Sequence, residues 1–268
     1  MSRLRVSAIS FLNTAPLMWD FDHGDLRRRY EVAYTLPSAC AEMLRQEMAD
    51  IGIIPVAAYA TIDDLAVIPG IAIAARGPVK SILLVSKAPI DKIKTVAADT
   101  SSRSSVALLQ VLFRRFHGIA PEFKPMEPKL KTMLKECDAA LLIGDPALLV
   151  ATGEHQVYDL AEEWKRLTDK PFVFAFWAVR KQALKGDAKK VVRDFQNSRD
   201  HGIKPENLVK TAKEWTIRIG LTEGDILSYL HDNIHYHLDD DCLAGLKLFY
   251  QYAAEVGALP KTPEVEFC

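Results

Sequence analysis

Small polar residues cluster in this chain just after apolar runs, and those clusters hold the side chains able to do chemistry. Ser10-Phe11-Leu12-Asn13-Thr14-Ala15-Pro16-Leu17 follows the run 4–9, and Leu36-Pro37-Ser38 follows 30–35. Asp99-Thr100-Ser101-Ser102-Arg103-Ser104-Ser105 follows 95–98, and Ile143-Gly144-Asp145-Pro146 follows 139–142. Where a strand hands over to a helix, the first helical N–H groups are free and that end carries partial positive charge. Such ends receive carboxylates and phosphates, and in open α/β sheets the strand ends form the ligand crevice. The pattern predicts a cleft for a small anionic ligand.

Each candidate has two readings. Asn13 can donate to a departing oxygen while accepting from a hydroxyl, or it can steady the turn before the next helix. Ser101, Ser102 and Ser104 offer hydroxyls and backbone N–H groups that hold a carboxylate without formal charge; they also suit a capped, solvated first turn. Arg103 either clamps a carboxylate or points to solvent. Ser38 opens the second helix at the cleft end of its strand. Ser81 begins an otherwise apolar strand after Gly77-Pro78 and needs a partner, from ligand or backbone. Gly144 and Asp145 close a buried run. With Pro146 behind it, Asp145 reads first as a helix N-cap and second as a cleft residue. His231, His235 and His237, with Asp232 and the acidic triplet 239–241, resemble a metal cluster. They lie between two helices, so the expectation is a solvated connector and no metal site.

The elements that position these residues alternate. Strands are expected at 3–9, 31–35, 50–54, 65–68, 71–75 and 81–86, with helices at 14–28, 38–48 and 56–62. This βαβα rhythm implies a mainly parallel sheet. After a candidate boundary at 87–91 a second rhythm follows: strands at 95–98, 121–124 and 139–143, helices at 104–117 and 130–135. A long apolar strand at 172–179 runs back to the first lobe. The last ninety or so residues show helical spacing at 188–201, 205–213, 223–231 and 240–256, with Thr222 and Asp240 as plausible N-caps. The expected fold is α/β, in two lobes with a central ligand cleft, periplasmic-binding-protein-like, with C-terminal helices packed on lobe one. Lobe one takes 1–90 plus 179–268, and lobe two takes 91–178.

Composition narrows the function. The chain has 268 residues, 49% of them hydrophobic, and a net charge of −1. That is enough for two lobes, and no basic excess points to nucleic acid or an anionic membrane. No apolar run approaches the roughly 18 residues of a membrane span, and no secretory signal is visible, so a cytoplasmic protein is expected. The four cysteines, Cys40, Cys137, Cys242 and Cys268, form no C-x-x-C pair and are expected to be reduced. Walker A, G-x-G-x-x-G, H-E-x-x-H and G-x-S-x-G motifs are absent, which removes the chemistries they serve.

Several segments together carry a resemblance. They are Ser10-Phe11-Leu12-Asn13-x-x-Pro16-Leu17, Asp50-Ile51-Gly52-x-x-Pro55-Val56, Gly77-Pro78-Val79-x-Ser81, Ser101-Ser102-Arg103-Ser104-Ser105-Val106, Leu142-Ile143-Gly144-Asp145-x-Ala147-Leu148, Tyr158-Asp159-Leu160-x-x-x-Trp164 and Pro171-Phe172-Val173-Phe174-Ala175-x-Trp177. In that order they resemble the chorismate dehydratase (MqnA) family of the futalosine route to menaquinone. Pro146 and the serine-rich 101–105 segment depart from the family pattern in ways conservative for the chemistry. The resemblance implies a type II periplasmic-binding-protein fold turned cytoplasmic lyase, converting chorismate to 3-[(1-carboxyvinyl)oxy]benzoate and water with no cofactor. Two alternatives stand beside it: a sister enzyme forming 1,4-dihydroxy-6-naphthoate, and a non-catalytic binding protein for a small carboxylate.

Chorismate carries two carboxylates, which matches helix ends and hydroxyls as anchors. On this reading Asn13 contacts the leaving hydroxyl or its neighbour, while Ser81 and Ser102 anchor carboxylates. The motifs contain no His, Lys or Glu, and the carboxylates of the polar turns, Asp99 and Asp145, have structural explanations. The missing base leads to the hypothesis that the substrate's own side-chain carboxylate removes the ring proton.

Overall fold

The computed structural model describes residues 3–99, 101, 103–184 and 188–268. Among them ten strands are named in chain order: β1 (Leu4–Ile9), β2 (Tyr30–Thr35), β3 (Ile51–Pro55), β4 (Leu65–Ala75), β5 (Ile82–Ser86), β6 (Thr95–Asp99), β7 (Glu122–Met126), β8 (Ala139–Ile143), β9 (Gln156–Asp159) and β10 (Phe172–Arg180). They form two sheets, ordered β2-β1-β3-β10-β4 and β7-β6-β8-β5-β9. Every residue of β3, β8 and β10 is buried, as their apolar runs require of central strands covered on both faces; Arg180, which ends β10, is buried against Leu44 O and Glu47. Pro125, which cannot donate to a ladder, sits on the edge strand β7. No helix among the described residues is long and apolar enough to cross a membrane.

Both sheets are mixed, which corrects the expectation of mainly parallel pairing. β1 runs parallel to β2 and β3, but β10 is antiparallel to β3 and β4. Likewise β6 is parallel to β7 and β8, while β5 is antiparallel to β8 and β9. The reason is the route of the chain. β1, β3 and β4 end at the gap between the sheets; a strand arriving from the other sheet starts at that gap and must run the opposite way. β5 and β10 are those two arriving strands. By sheet membership the chain crosses in 76–81 and again in 160–171, earlier than the expected crossings near 90 and 178.

Local chemistry accounts for the other departures. The expected helix at 14–28 is a 3-10 helix, Leu12–Met18, then one α turn, Trp19–Asp22, and a 3-10 turn, Leu26–Arg28. Pro16 inside the first piece has no N–H to continue an α-helical ladder. The strands expected at 65–68 and 71–75 are one strand, because Gly70 at φ +79° lets the chain bulge through Pro69-Gly70 and resume pairing with β10. β9 and the helix Leu160–Thr168 were not anticipated as elements. Asp159, whose carboxylate accepts from Ala161 N and Glu162 N, is the N-cap signal that marks that helix.

The C-terminal helices Ala188–Gly202, Pro205–Ile219, Glu223–Ser228 and Asp240–Glu255 pack on the first sheet. Trp177 of β10 stands 4.8 Å from Phe195, and the Tyr250 hydroxyl donates to Val56 O at 2.9 Å. The last helix also reaches the second lobe: the Arg115 guanidinium covers the Tyr252 ring and pairs with Glu255 at 2.6 Å. Thr222 caps its helix as expected, but the cap of the last helix is Asp239, not Asp240.

Ser198 fastens these helices to the segment that carries Asn13. Its fully buried hydroxyl donates to Leu17 O at 2.9 Å and accepts from Asp20 N at 3.0 Å. Ser198→Ala removes both of these bonds, at about 1–3 kcal/mol for such a loss. Denaturant unfolding is expected to show a lower midpoint with an unchanged slope; an unchanged midpoint would contradict this.

Candidate active site

Between the sheets lies a narrow cleft, with about 460 Å³ of empty space when its solvent-open mouth is included. From the first sheet it receives Ile9, Phe11 and Asn13 after β1, Pro55 at the end of β3, and Phe174 and Ala175 of β10. From the second it receives Ser101, Arg103, Ser104 and Ser105 after β6, and Ile143 and Gly144 after β8. Apolar walls thus surround a patch of hydroxyls, one carboxamide and one guanidinium. Among the described residues that line it, Arg103 is the one charged side chain, and it is solvent-exposed. Arg76, which follows β4, is engaged elsewhere: it pairs with Asp239 at 2.7 Å and Asp241 at 3.3 Å.

The anticipated residues take different places around this cleft. Asn13 lines it, 9% exposed, its carbonyl accepting weakly from Thr14 Oγ1 at 3.4 Å. Ser101 lines it, but its backbone N–H and hydroxyl both turn back to Asp99 Oδ1, at 2.9 and 2.7 Å. Ser104 accepts from Ala57 N at 3.1 Å, leaving its own O–H to donate. Ser105, not singled out beforehand, joins them at the start of the helix Arg103–Val111. Pro37, at the first helical position, takes the cleft-facing place, and half-buried Ser38 is not among the lining residues. Ser81 lies behind the wall, with no exposure, and its hydroxyl accepts from the Tyr229 hydroxyl at 2.8 Å. Ser102 lies outside the described residues.

Gly144 and Asp145 hold the two lobes together. Gly144 adopts φ +63° and ψ −145°, and its N–H donates to Ser81 O at 2.8 Å. The Phe11 ring of the opposite lobe lies so close that a Cβ on Gly144 would meet ring carbons at 2.5 Å. Conformation and contact both call for glycine. Asp145 does not cap its own helix, contrary to the first reading: Gly144 is the N-cap and Asp145 is already inside. Its Oδ1 accepts instead from Leu12 N at 3.0 Å, across the cleft, at the start of the 3-10 helix whose own N-cap Phe11 supplies no side-chain bond. Burial pushes the Asp145 carboxyl up to about 6, and the Leu12 N–H offsets only part of that.

The crossings are tied as well. Besides capping Leu160–Thr168, Asp159 accepts from Lys80 N at 2.6 Å, so one carboxylate joins both crossing segments. The segment expected to be a solvated connector is instead ordered and partly buried. Ile234, Tyr236 and Leu238 point inward, and His235 pairs through its backbone with Ala74. The His235, Asp239 and Cys242 side chains lie together, as the spacing suggested a cluster might. One Asp239 oxygen is already shared by His235 Nε2 at 2.6 Å and Arg76 at 2.7 Å, and the other caps Cys242 N at 3.0 Å. That makes it a helix cap with an ion pair.

Comparison with known proteins fits this geometry. A family model described as menaquinone biosynthesis matches residues 4–255. The chain belongs to the menaquinone-biosynthesis family. A protein of Thermus thermophilus named chorismate dehydratase is 30% identical over 274 aligned positions, covering 94% of each chain. Among solved structures, a protein of Archaeoglobus fulgidus is similar with a TM-score of 0.72 and 17% identity, covering 96% of this chain and 98% of that one. An alkanesulfonate-binding protein of Xanthomonas axonopodis pv. citri, bound to MOPS, has a TM-score of 0.71 and 17% identity, covering 98% of this chain and 96% of that one. At such identities the structural likeness establishes the periplasmic-binding-protein-like fold. The matched region takes in the cleft segments from both sheets, so the family's sequence signal and the cleft coincide.

The raised Asp145 carboxyl fixes a pH dependence. The group is neutral in folded and unfolded chains below about pH 4, its ordinary range. Between there and about 6 the folded chain alone holds the proton, so this contribution to stability is lost as pH rises through about 6. Asp145→Asn keeps an acceptor for Leu12 and removes the buried charge. It should raise the melting temperature at about pH 7.5 by roughly 2–4 °C, on the order of 1 kcal/mol, and leave it unchanged near pH 3.5. Equal shifts at both pH values would contradict the assignment.

Proposed function

We propose that this protein is a cytoplasmic hydro-lyase that converts chorismate to 3-[(1-carboxyvinyl)oxy]benzoate and water. The observation that carries the reading is the full-length similarity to the Thermus thermophilus protein named chorismate dehydratase, together with a cleft suited to a small dicarboxylate. The N-terminus of Arg103–Val111, the hydroxyls of Ser104 and Ser105, and the Arg103 guanidinium offer anchors for carboxylates. The apolar walls of Ile9, Ile73, Ile82 and Phe174 suit the ring.

The reaction takes one proton and one hydroxyl from neighbouring ring positions. The C–H pair becomes a ring double bond, the C–O bond breaks, and the hydroxyl leaves as water. Aromaticity drives it, so the protein's task is positioning, help for the departing oxygen, and exclusion of side reactions. On this reading Asn13, at the cleft wall with an N–H donor to offer, meets the departing oxygen. No His, Lys, Asp or Glu stands among the described lining residues, which supports proton removal by the substrate's own side-chain carboxylate. Asp145 supplies the competing reading, because its raised carboxyl would serve as a base if cleft motion brought it to the ring.

Purified protein mixed with chorismate should yield the enolpyruvyl benzoate, seen by chromatography and mass as the loss of one water. Asn13→Ala should slow this on the order of 10²-fold or more, the usual range for a lost polar contact to a reacting group. Unchanged chorismate would overturn the reading in favour of a binding protein or the naphthoate-forming sister enzyme. Asp145→Asn should keep most of the rate. A loss above about 10³-fold would move the proton step from the substrate to Asp145.

A further inference from the structure

The C-terminal region holds a residue that no cleft motif includes and that touches two of them. Tyr229 is buried, and its hydroxyl donates to Ser81 Oγ at 2.8 Å. Burial pushes its phenol above the usual range, and the Ser81 and Asn13 side chains beside it hold it partly back. Asn13 follows β1 of the first sheet, and Ser81 precedes β5 of the second. One hydroxyl thus meets a side chain from each lobe at the back of the cleft.

Two further observations mark the place. Tyr229 opens a π-helical turn, Tyr229–Asn233, directly after the α-helix Glu223–Ser228. Such turns are rare and recur where a helix must aim a functional side chain. Seven residues on, the Tyr236 hydroxyl is wholly buried with no hydrogen-bond partner among the described residues. A buried hydroxyl left unpaired calls for an explanation.

We propose that Tyr229 is a positioning residue, its hydroxyl setting the orientation of the Asn13 carboxamide toward the departing oxygen and registering Ser81 on the opposite lobe against it. The Asn13 carbonyl accepts from Thr14 Oγ1, which leaves its N–H₂ end to be oriented by the Tyr229 oxygen nearby. A bound ligand competes for that N–H₂ group. Tyr229 acts through Asn13 and touches no reacting atom. The inference rests on the proposed reaction, since it assigns Asn13 its target.

The test is a double-mutant cycle on the full chain with chorismate. Tyr229→Phe removes one oxygen and keeps the ring. We expect kcat to fall about 10- to 100-fold, the scale of a misoriented group, with KM within about threefold. The Tyr229→Phe/Asn13→Ala double variant should be no slower than Asn13→Ala alone, because residues acting as a unit are not additive. A Tyr229→Phe rate within twofold of wild type, or full additivity, would overturn the proposal. If Tyr229→Phe folds poorly, Ser81→Ala breaks the same hydroxyl network from the other lobe and must show the same non-additivity with Asn13→Ala. A second readout needs no turnover. In ¹⁵N-labelled protein the Asn13 side-chain N–H₂ signal, assigned by its loss in Asn13→Asp, should shift in Tyr229→Phe; an unmoved signal refutes the contact. Wild-type protein inert toward chorismate, with that signal shifted, would overturn the proposed reaction and leave the contact standing.

Discussion

A buried helix start must have its first N–H groups satisfied, and in this fold two such starts are satisfied from across the cleft. Leu12 N, opening the 3-10 helix after β1, donates to Asp145 of the second lobe. Ala57 N, in the helix after β3, donates to Ser104 of the second lobe. Neither helix has a side-chain cap from its own N-cap residue. Apart, the lobes would give both groups to water; together, they convert a capping requirement into specific contacts between the lobes. Phe11 against Gly144 adds a steric condition to the same seam.

That seam shapes the electrostatics of the site. Closing the lobes removes water from Asp145 and raises its carboxyl, while the hydroxyls of Ser101 and Ser104 already have protein partners. The polar groups are therefore held in fixed directions before any ligand arrives. Preorganised dipoles in a site of low dielectric act more strongly than the same groups in water. For the proposed anionic substrate such a cleft would need little formal charge, and Arg103, exposed at its rim, is the one charged side chain among the described lining residues.

The tying of the crossings follows the same logic. Asp159 bonds Lys80 N in the first crossing and caps the helix of the second, so one carboxylate ties the two connections together. Arg76, just after β4, is held by Asp239, which in turn caps the last helix. The C-terminal helices are thus fastened to the chain at the point where it leaves the first sheet, and the last of them touches both lobes.

Much of this was legible from residue order. Apolar runs marked β3, β8 and β10, and the polar clusters marked the strand ends that meet at the cleft. Asn13, Ser101, Arg103, Ser104 and Gly144 were found there because turn chemistry and helix starts are local, written within a few residues. The direction of β5 and β10, the true crossings, and the partners of Asp145, Ser81 and Asp159 were not legible. They join residues 133, 148 and 79 positions apart, with no repeating spacing to betray them. Ser38 and Ser81 share the composition of cleft residues but not their place, because burial depends on what packs behind a strand end. The sequence by itself determined the α/β elements, the family and the polar turns. Only the tertiary structure decided which turns face one another, because a buried donor must find its acceptor wherever the folded chain brings one.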